Sequence, residues 1–509
     1  MEPLGELLTR KAKKNKGKPY LYFQDQVVSY EAINACANQM ANSFKAQGVS
    51  KGDHVTVMLP NCPEYLYCWF GLAKLGAVIV AVNTRYRGEG LKNLIEASDS
   101  SLVAIGPDFL PQYEEITHSI KGVDTLVVDD AFFRKSSTSL SSDIPTIEDI
   151  EPLIIGFTSG TTGLPKLVRN SHRAYITAAR ELASCYLELS EEDRIYSTLP
   201  LYHANPQVYC VLTALAADAS VVVAPRFSAS RFWGDVRKYN ATAFSYVGAI
   251  LPILLAQPER SDDRDVPAAK CVGGGAPKEV YEAVARRFGI EVHELYGMSE
   301  TGTFNTINRP GKGKAGTVGQ VREGFDVRIF DDKDNELPPG EVGEIVIRPE
   351  KPYIMFDGYY KSPEETVESS SNWWFHTGDL GKVDEDGYYY FCGRKKESIR
   401  RGGENISPYD IENAINSHPA VAESAAFGIS DPIMAEEIGV AVVLKTSKTL
   451  NHEDVVAWCE ARLPKFLIPR YIEFMENLPK SASEKVQKVV LKERGLTPAT
   501  WDRQKQTEN

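Results

Sequence analysis

Between about residue 50 and residue 300, short apolar runs rich in β-branched residues alternate with stretches of helical spacing. The runs are Val55–Leu59, Leu102–Ile105, Thr125–Val128, Leu153–Phe157, Ser220–Ala224 and Thr242–Val247. Strands that alternate with helices predict α/β layers with parallel strands. The apolar stretch Leu66–Val82 is broken by Lys74 and Gly76 and falls short of the ~20 residues a membrane span needs. Pro63 suits the first turn of a helix and Gly76 its stop, so Val78-Ile79-Val80 reads as a buried strand and no integral membrane segment is expected.

The texture changes at about residue 316. Short strand patterns at Phe325–Phe330, Glu344–Arg348 and Tyr388–Phe391 are separated by Pro339-Gly340 and Asp386-Gly387, which predicts a β-rich part over about 316–393. Beyond Gly393, Ser407-Pro408-Tyr409-Asp410 carries helix-start signals, with Ile411, Ala414 and Ile415 on one face. Strand-like Val421–Phe427 and Val440–Leu444 and a helix near Glu453–Leu463 complete a small α+β module, and Asp502–Asn509 reads as a solvated tail. The expected fold is therefore α/β: a large N-terminal domain, 1–393, of layered α/β subdomains plus the β-rich part, followed by a small α+β domain over 398–509.

Composition narrows the function. With 57 Lys+Arg against 69 Asp+Glu the chain carries −12, which argues against a general nucleic-acid binder because phosphate affinity rests on clustered cations. Eight cysteines are scattered with no CxxC pair and no zinc spacing, as in the core of a protein from a reducing compartment, and the polar, basic N-terminus lacks a secretion signal; the cytoplasm is expected. No GxSxG elbow is present, so a hydrolase triad has no support.

The chemistry-bearing segments are few. Thr158-Ser159-Gly160-Thr161-Thr162-Gly163-Leu164-Pro165-Lys166 follows a buried-strand pattern and gathers hydroxyls, glycines and a lysine. Such a loop suits oxyanions through backbone N–H groups, hydroxyls and charge, yet its spacing is not that of a Walker loop. Gly273-Gly274-Gly275-Ala276-Pro277 allows a flat ligand to lie against backbone. In Tyr296-Gly297-Met298-Ser299-Glu300-Thr301-Gly302, Tyr296 can stack on a base and Glu300 can hold a hard cation such as Mg²⁺. Thr377-Gly378-Asp379-Leu380 offers a carboxylate. Arg394-Lys395-Lys396 with Arg400-Arg401 places five cations in eight residues, opposed by Glu397, a candidate phosphate-facing patch. Lys480, Lys485 and Lys488 lie close together near the C-terminus.

These segments, in this order and across nearly the whole chain, resemble the adenylate-forming superfamily of acyl-CoA synthetases, luciferases and peptide-synthetase adenylation domains. The resemblance implies that Thr158–Lys166 cradles the ATP phosphates, that Gly274–Pro277 borders adenine and the acyl pocket, and that Tyr296 stacks on the base. It further implies that Glu300 holds Mg²⁺, Thr301 touches phosphate, and Asp379 and Arg394 hold the nucleotide. Lys396 falls at the family's hinge, giving a hinge at 394–397 about which a mobile C-terminal domain swings. Gly402, Gly403 and Glu404 match the loop that approaches the pantetheine arm of coenzyme A. Lys485 aligns with the adenylation lysine, with Lys480 and Lys488 as competitors from sequence alone. Glu484 and Leu167 each stand where the family customarily has Gly. His203 falls beside the acyl site and coenzyme A tunnel, with a core or capping role as its alternative.

The implied activity is an ATP-dependent acid–thiol ligase that forms acyl-AMP and pyrophosphate, then acyl-CoA and AMP. ATP, Mg²⁺, coenzyme A and a small-molecule carboxylic acid are its expected ligands, and a homodimer is a candidate assembly. His203 replaces the Asp of amino-acid-activating relatives, and no carrier segment is expected after Lys485; both favour a free-standing acyl-CoA synthetase. Phe232–Tyr239, Leu337–Glu341 and Arg401–Ser407 resemble carnitine/crotonobetaine-CoA ligases most closely. Tyr202–Val208 and Tyr246–Ala249 are expected to line a pocket for a small to medium acid. An acyl-AMP ligase that loads a separate carrier protein, and a non-catalytic acyl-nucleotide binding protein, are the alternatives.

Overall fold

The computed structural model describes residues 1–129, 144–158, 166–401, 404–480 and 486–506. Two compact units are formed: Met1–Val327 with Ile347–Trp374, and Arg328–Val346 with Phe375–Asn509. The boundary thus passes through the strands Phe325–Phe330 and Gly343–Pro349.

The first unit is built on two largely parallel sheets. The six-stranded sheet runs in the order 124–127, 100–105, 54–58, 78–81, 152–158, 166–171. Only its last pair, Pro152–Thr158 with Lys166–Ser171, is antiparallel among the described strands. The nine-stranded sheet runs 320–321, 306–307, 291–296, 270–274, 243–247, 194–197, 220–223, 19–23, 26–29. All six apolar runs read from the sequence are strands here. Their β-branched side chains suit positions covered on both faces of a parallel sheet.

Helix Pro63–Leu75 is buried on all sides, Lys74 included, as a helix apolar all round must be. It begins at Pro63 and stops at Gly76, whose φ of 73° and N–H bond to the Leu72 carbonyl form the left-handed cap. Val78–Ala81 follows as a fully buried strand. The main core joins this helix and Tyr30–Ala46 to Val55, Val57 and Ile79 of one sheet and Ile195, Val221 and Val223 of the other. No helix among the described residues is long and apolar enough to cross a membrane. All eight cysteines are free thiols.

The second unit carries the α+β module. Strands Val421–Asp431 and Ala435–Leu444 pair antiparallel, and Tyr471–Phe474 adds in parallel. Helix Pro408–Asn416 starts where the Ser407 hydroxyl accepts the Tyr409 N–H and buries Ile411 and Ile415 against Val421, Val440 and Ile472. Helix His452–Glu460 follows. The expectation of a solvated tail from Asp502 is corrected: Trp501–Asp502 pairs with Tyr471 and Ile472, and Arg470 Nε binds Asp502 Oδ1 at 3.2 Å. A charge-assisted bond and a ladder position together hold this end.

Candidate active site

In the first unit, candidate side chains hang on the antiparallel pair Pro152–Thr158 and Lys166–Ser171, in register Thr158 to Lys166 and Phe157 to Leu167. Ser159, Gly160, Thr161, Thr162 and Gly163 lie outside the described residues, as does the Thr158 side chain. Leu167, which departs from the family's Gly, is 8% exposed and packs with Ile155 and Tyr360 in a hydrophobic cluster, so its side chain serves the sheet. A second segment runs beside this strand: the Asp357 N–H binds the Arg169 carbonyl at 2.8 Å and the Tyr360 N–H the Leu167 carbonyl at 2.8 Å.

That segment joins Lys166 to Glu300. Tyr359 donates its hydroxyl to Glu300 Oε1 at 3.1 Å, and the Lys166 ammonium stands 4.5 Å from the centre of the Tyr359 ring. Lys166 also pairs with Glu365 at 3.4 Å. Glu300 is buried in the turn Ser299–Thr301, and its carbonyl accepts the Phe356 N–H at 3.0 Å. Asn170 donates to the Ser299 carbonyl at 3.0 Å. Two glycines permit this packing: a Cβ on Gly297 would stand 2.3 Å from Phe304 Cα, and one on Gly302, at φ 69°, 2.0 Å from the Ile354 oxygen. Neither position tolerates a side chain. The Thr301 hydroxyl is turned inward and bonds both the N–H and the carbonyl of Met298. Beneath this turn lies Arg322, fully buried, with Nε 2.6 Å from Glu181 Oε2 and Nη1 3.0 Å from the Phe304 carbonyl.

Gly274 ends the strand Lys270–Gly274, Gly275 and Ala276 follow, and Pro277 caps helix Lys278–Phe288. Glu294, in the neighbouring strand Glu291–Tyr296, fixes this bend: its carboxylate accepts the Gly275 and Ala276 N–H groups, the latter at 3.0 Å, and the Tyr246 hydroxyl. Tyr296, two residues on, is buried. Burial pushes the Glu294 carboxyl up to about 8, while its three donors favour the charged form. The raised pKa sets a sign. Stability from this group is full below the ordinary carboxylate range near pH 4.5 and is lost as pH rises through about 8. E294Q is therefore expected to flatten the decline in unfolding midpoint between pH 5 and 8.5; an unchanged slope would mean that Glu294 does not titrate there.

His203 is exposed, edge-on to Tyr202 with ring centres 4.7 Å apart, just before a π-helical segment, Asn205–Leu212. Within that segment Asn205 Oδ1 and Gln207 Oε1 are buried with no hydrogen-bond partner among the described residues, and Asn205 Nδ2 donates to the Tyr246 carbonyl at 3.1 Å.

In the second unit, Asp379 and Arg394 face each other across the strands Phe375–Val383 and Tyr389–Arg394, 3.5 Å apart, with Asp379 only 5% exposed. Thr377 Oγ1 accepts the Asp379 N–H at 3.1 Å. Glu344 takes the Gly378 N–H at 3.0 Å and the Lys395 ammonium at 3.0 Å. Lys396 is exposed in the turn Lys395–Glu397. Gly402, Gly403 and Lys485 lie outside the described residues, as does the Glu404 side chain; the Glu404 backbone pairs with Arg401. The two rival lysines are engaged: Lys480 with Glu423 at 2.8 Å, and Lys488 with Glu397 at 2.8 Å and Glu412 at 2.9 Å.

Sequence reasoning did not single out Tyr359, Glu294 or Glu344. For the two carboxylates a signal existed, since each directly precedes apolar strand residues, Leu295-Tyr296 and Ile345-Val346-Ile347, where a charge is rarely left buried without partners. Tyr359 gave none, because an aromatic beside Gly reads as core.

The family model for AMP-binding enzymes matches residues 8–360 and that for the AMP-binding enzyme C-terminal domain matches 410–485. Crotonobetaine/carnitine–CoA ligase from Salmonella paratyphi A is 34% identical over 480 residues, covering 91% of this chain and 93% of its own. The fold is shared with ATP-bound MatB from Rhodopseudomonas palustris (TM-score 0.87, 27% identity, 97% and 99% of the two chains). It is also shared with the anthranilate CoA ligase AuaEII (TM-score 0.90, 24% identity, 97% of each chain). The Lys166–Tyr359–Glu300 and Asp379–Arg394 groupings thus sit on a chain that belongs to the AMP-binding enzyme family and is an acid–thiol ligase of the acyl-CoA synthetase type.

Proposed function

We propose that the chain activates a small to medium polar carboxylic acid, with Lys166 and the Thr158–Gly163 loop on the ATP phosphates and Glu300 on Mg²⁺. The carrying observation is the meeting of Lys166 and Glu300 on either side of Tyr359. One buried carboxylate fits Mg²⁺, which is commonly held by one or two carboxylates together with substrate phosphates. Among the described residues no group of three or more His, Cys, Asp or Glu forms a self-sufficient metal cage, consistent with an ion shared with the nucleotide. When bound, the ion neutralises charge on the departing pyrophosphate.

In this reading the acid's carboxylate oxygen attacks the α-phosphorus, the bond to pyrophosphate breaks, and the thiol of coenzyme A then displaces AMP. Tyr296 supports the base, Asp379 accepts the ribose hydroxyls and Arg394 steadies the nucleotide. Lys485 neutralises the charge that develops in the first step. Its assignment over its neighbours is supported by the carboxylates that already hold Lys480 and Lys488. A hinge at 394–397, with Lys396 at its centre, exchanges Lys485 for the Gly402–Glu404 face in the second step, and a homodimer is the assembly we carry with this reading. The eight free thiols suit a cytoplasmic setting.

The acid's polarity is supported by Asn205 Oδ1 and Gln207 Oε1, buried acceptors that an alkyl chain would leave without a donor. Its similarity to crotonobetaine/carnitine–CoA ligases points the same way. Pyrophosphate release is measured with ATP and Mg²⁺ over carnitine, crotonobetaine, fatty, aryl and amino acids, with and without coenzyme A. Release that becomes multi-turnover only with coenzyme A, and is fastest for a polar acid, is expected. A preference for long alkyl acids would sink the polar assignment, and turnover indifferent to coenzyme A would move the acceptor to a carrier protein.

A further inference from the structure

Tyr359 is the point at which two separately read motifs touch. Its backbone is fixed twice, the N–H binding Thr366 Oγ1 at 2.9 Å and the residue bridging to Val168, and its ring packs edge-on to Phe356 at 5.2 Å. Tyr359 as a whole is 8% exposed. The hydroxyl reaches one Glu300 oxygen, while the ring face lies under the Lys166 ammonium. The hydroxyl is the donor of this bond, since a carboxylate oxygen can only accept. A carboxylate oxygen held in this way cannot rotate freely, and partners of metal-binding carboxylates orient them and tune their affinity. A cation above an aromatic face is likewise held in place by the ring, which together with Glu365 at 3.4 Å fixes where the ammonium stands.

We infer that Tyr359 is a positioning residue that sets Glu300 and Lys166 jointly, through its hydroxyl for the first and its ring for the second. The inference rests on the reading of Glu300 as the Mg²⁺ residue and Lys166 as a phosphate residue. It separates into two halves that different substitutions isolate, since Phe keeps the ring and Leu removes both parts.

The test is equilibrium binding on the full chain with a non-hydrolysable ATP analogue. Mn²⁺ affinity is read by electron paramagnetic resonance, and metal-free nucleotide affinity by calorimetry. Y359F is expected to weaken Mn²⁺ in the ternary complex about 10- to 100-fold while metal-free nucleotide binds as in wild type. Y359L is expected to add a loss of roughly two- to five-fold in metal-free affinity. Unchanged Mn²⁺ affinity in Y359F overturns the hydroxyl's role, and unchanged metal-free affinity in Y359L overturns the ring's. E300Q is measured alongside: if it leaves Mn²⁺ affinity at the wild-type value, the metal reading falls and takes the hydroxyl's role with it. An effect in E300Q with none in Y359F fails the inference alone. Thermal midpoints of the folded variants show that the binding change is not a loss of fold.

Discussion

K485A is expected to lower acid-dependent pyrophosphate release by about 10²–10³-fold, the usual cost of removing one well-placed electrostatic stabiliser of a transition state. Conversion of supplied acyl-AMP to acyl-CoA is expected to stay within about two-fold, because the thiol attacks an already activated carbonyl and needs no such help. The split between half-reactions is what identifies the residue; a general loss in both would indicate a damaged domain. K488A separates the rival assignment. Lys488 lies between Glu397 and Glu412, so its loss brings two carboxylates together without their cation and acts first on the stability of the second unit. If instead K488A abolished adenylation with the fold intact and K485A did not, the assignment would pass to Lys488.

The largest stability effect is expected at Arg322. Its side chain is fully buried, pairs with Glu181, donates to the carbonyls of Gly302 and Phe304, and lies over the Phe304 ring at 4.4 Å. R322M leaves Glu181 without its cation and two carbonyls without a donor. About 3 kcal/mol of destabilisation follows from the loss of one partner of a buried pair, the low end applying because Glu181 keeps 20% exposure. Urea unfolding followed by tryptophan fluorescence reads it. E181L with R322M is expected to recover much of the loss, since an apolar pair of similar volume removes the desolvation cost of both charges. A change below about 0.5 kcal/mol in R322M would show that the pair contributes little. Because Arg322 supports the turn that carries Glu300 and Thr301, the single variant should also bind Mg²⁺–ATP more weakly.

Much of the fold was legible because strands buried on both faces announce themselves. Val57–Leu59 and Val221–Ala224 are continuous apolar runs, and Pro63 with Gly76 bracket a helix through backbone chemistry that needs no tertiary partner. The same local rule found the cap at Ser407. What stayed hidden depends on partners far along the chain. Trp501–Asp502 is two residues long and exists as a strand only because Tyr471–Ile472 lies beside it. The division of the chain inside Phe325–Phe330 and Gly343–Pro349 follows from which residues pack together, and an alternating strand pattern carries no mark of it. At the candidate site, motif wording singled out Glu300 and Lys166, whereas the contact of both with Tyr359 is tertiary and leaves no mark in a motif. Leu167 reads as an irregularity in a loop motif until its place in the sheet's hydrophobic cluster is seen.

The first strand, Pro19–Phe23, lies beside Ser220–Val223, and the Tyr20 hydroxyl bonds the Val211 carbonyl, 191 positions along the chain. On the ribosome, at about 5–20 residues per second, that partner emerges roughly 10–40 s after the strand itself. For that interval Tyr20, Leu21 and Tyr30 lack the surfaces that bury them, and the strand edge that pairs with Ser220–Val223 has nothing beside it. The nascent N-terminus is then a substrate for holding chaperones and for mispairing with other nascent chains. Codon choice between residues 30 and 220 should govern the yield of active protein more strongly than codon choice near the C-terminus.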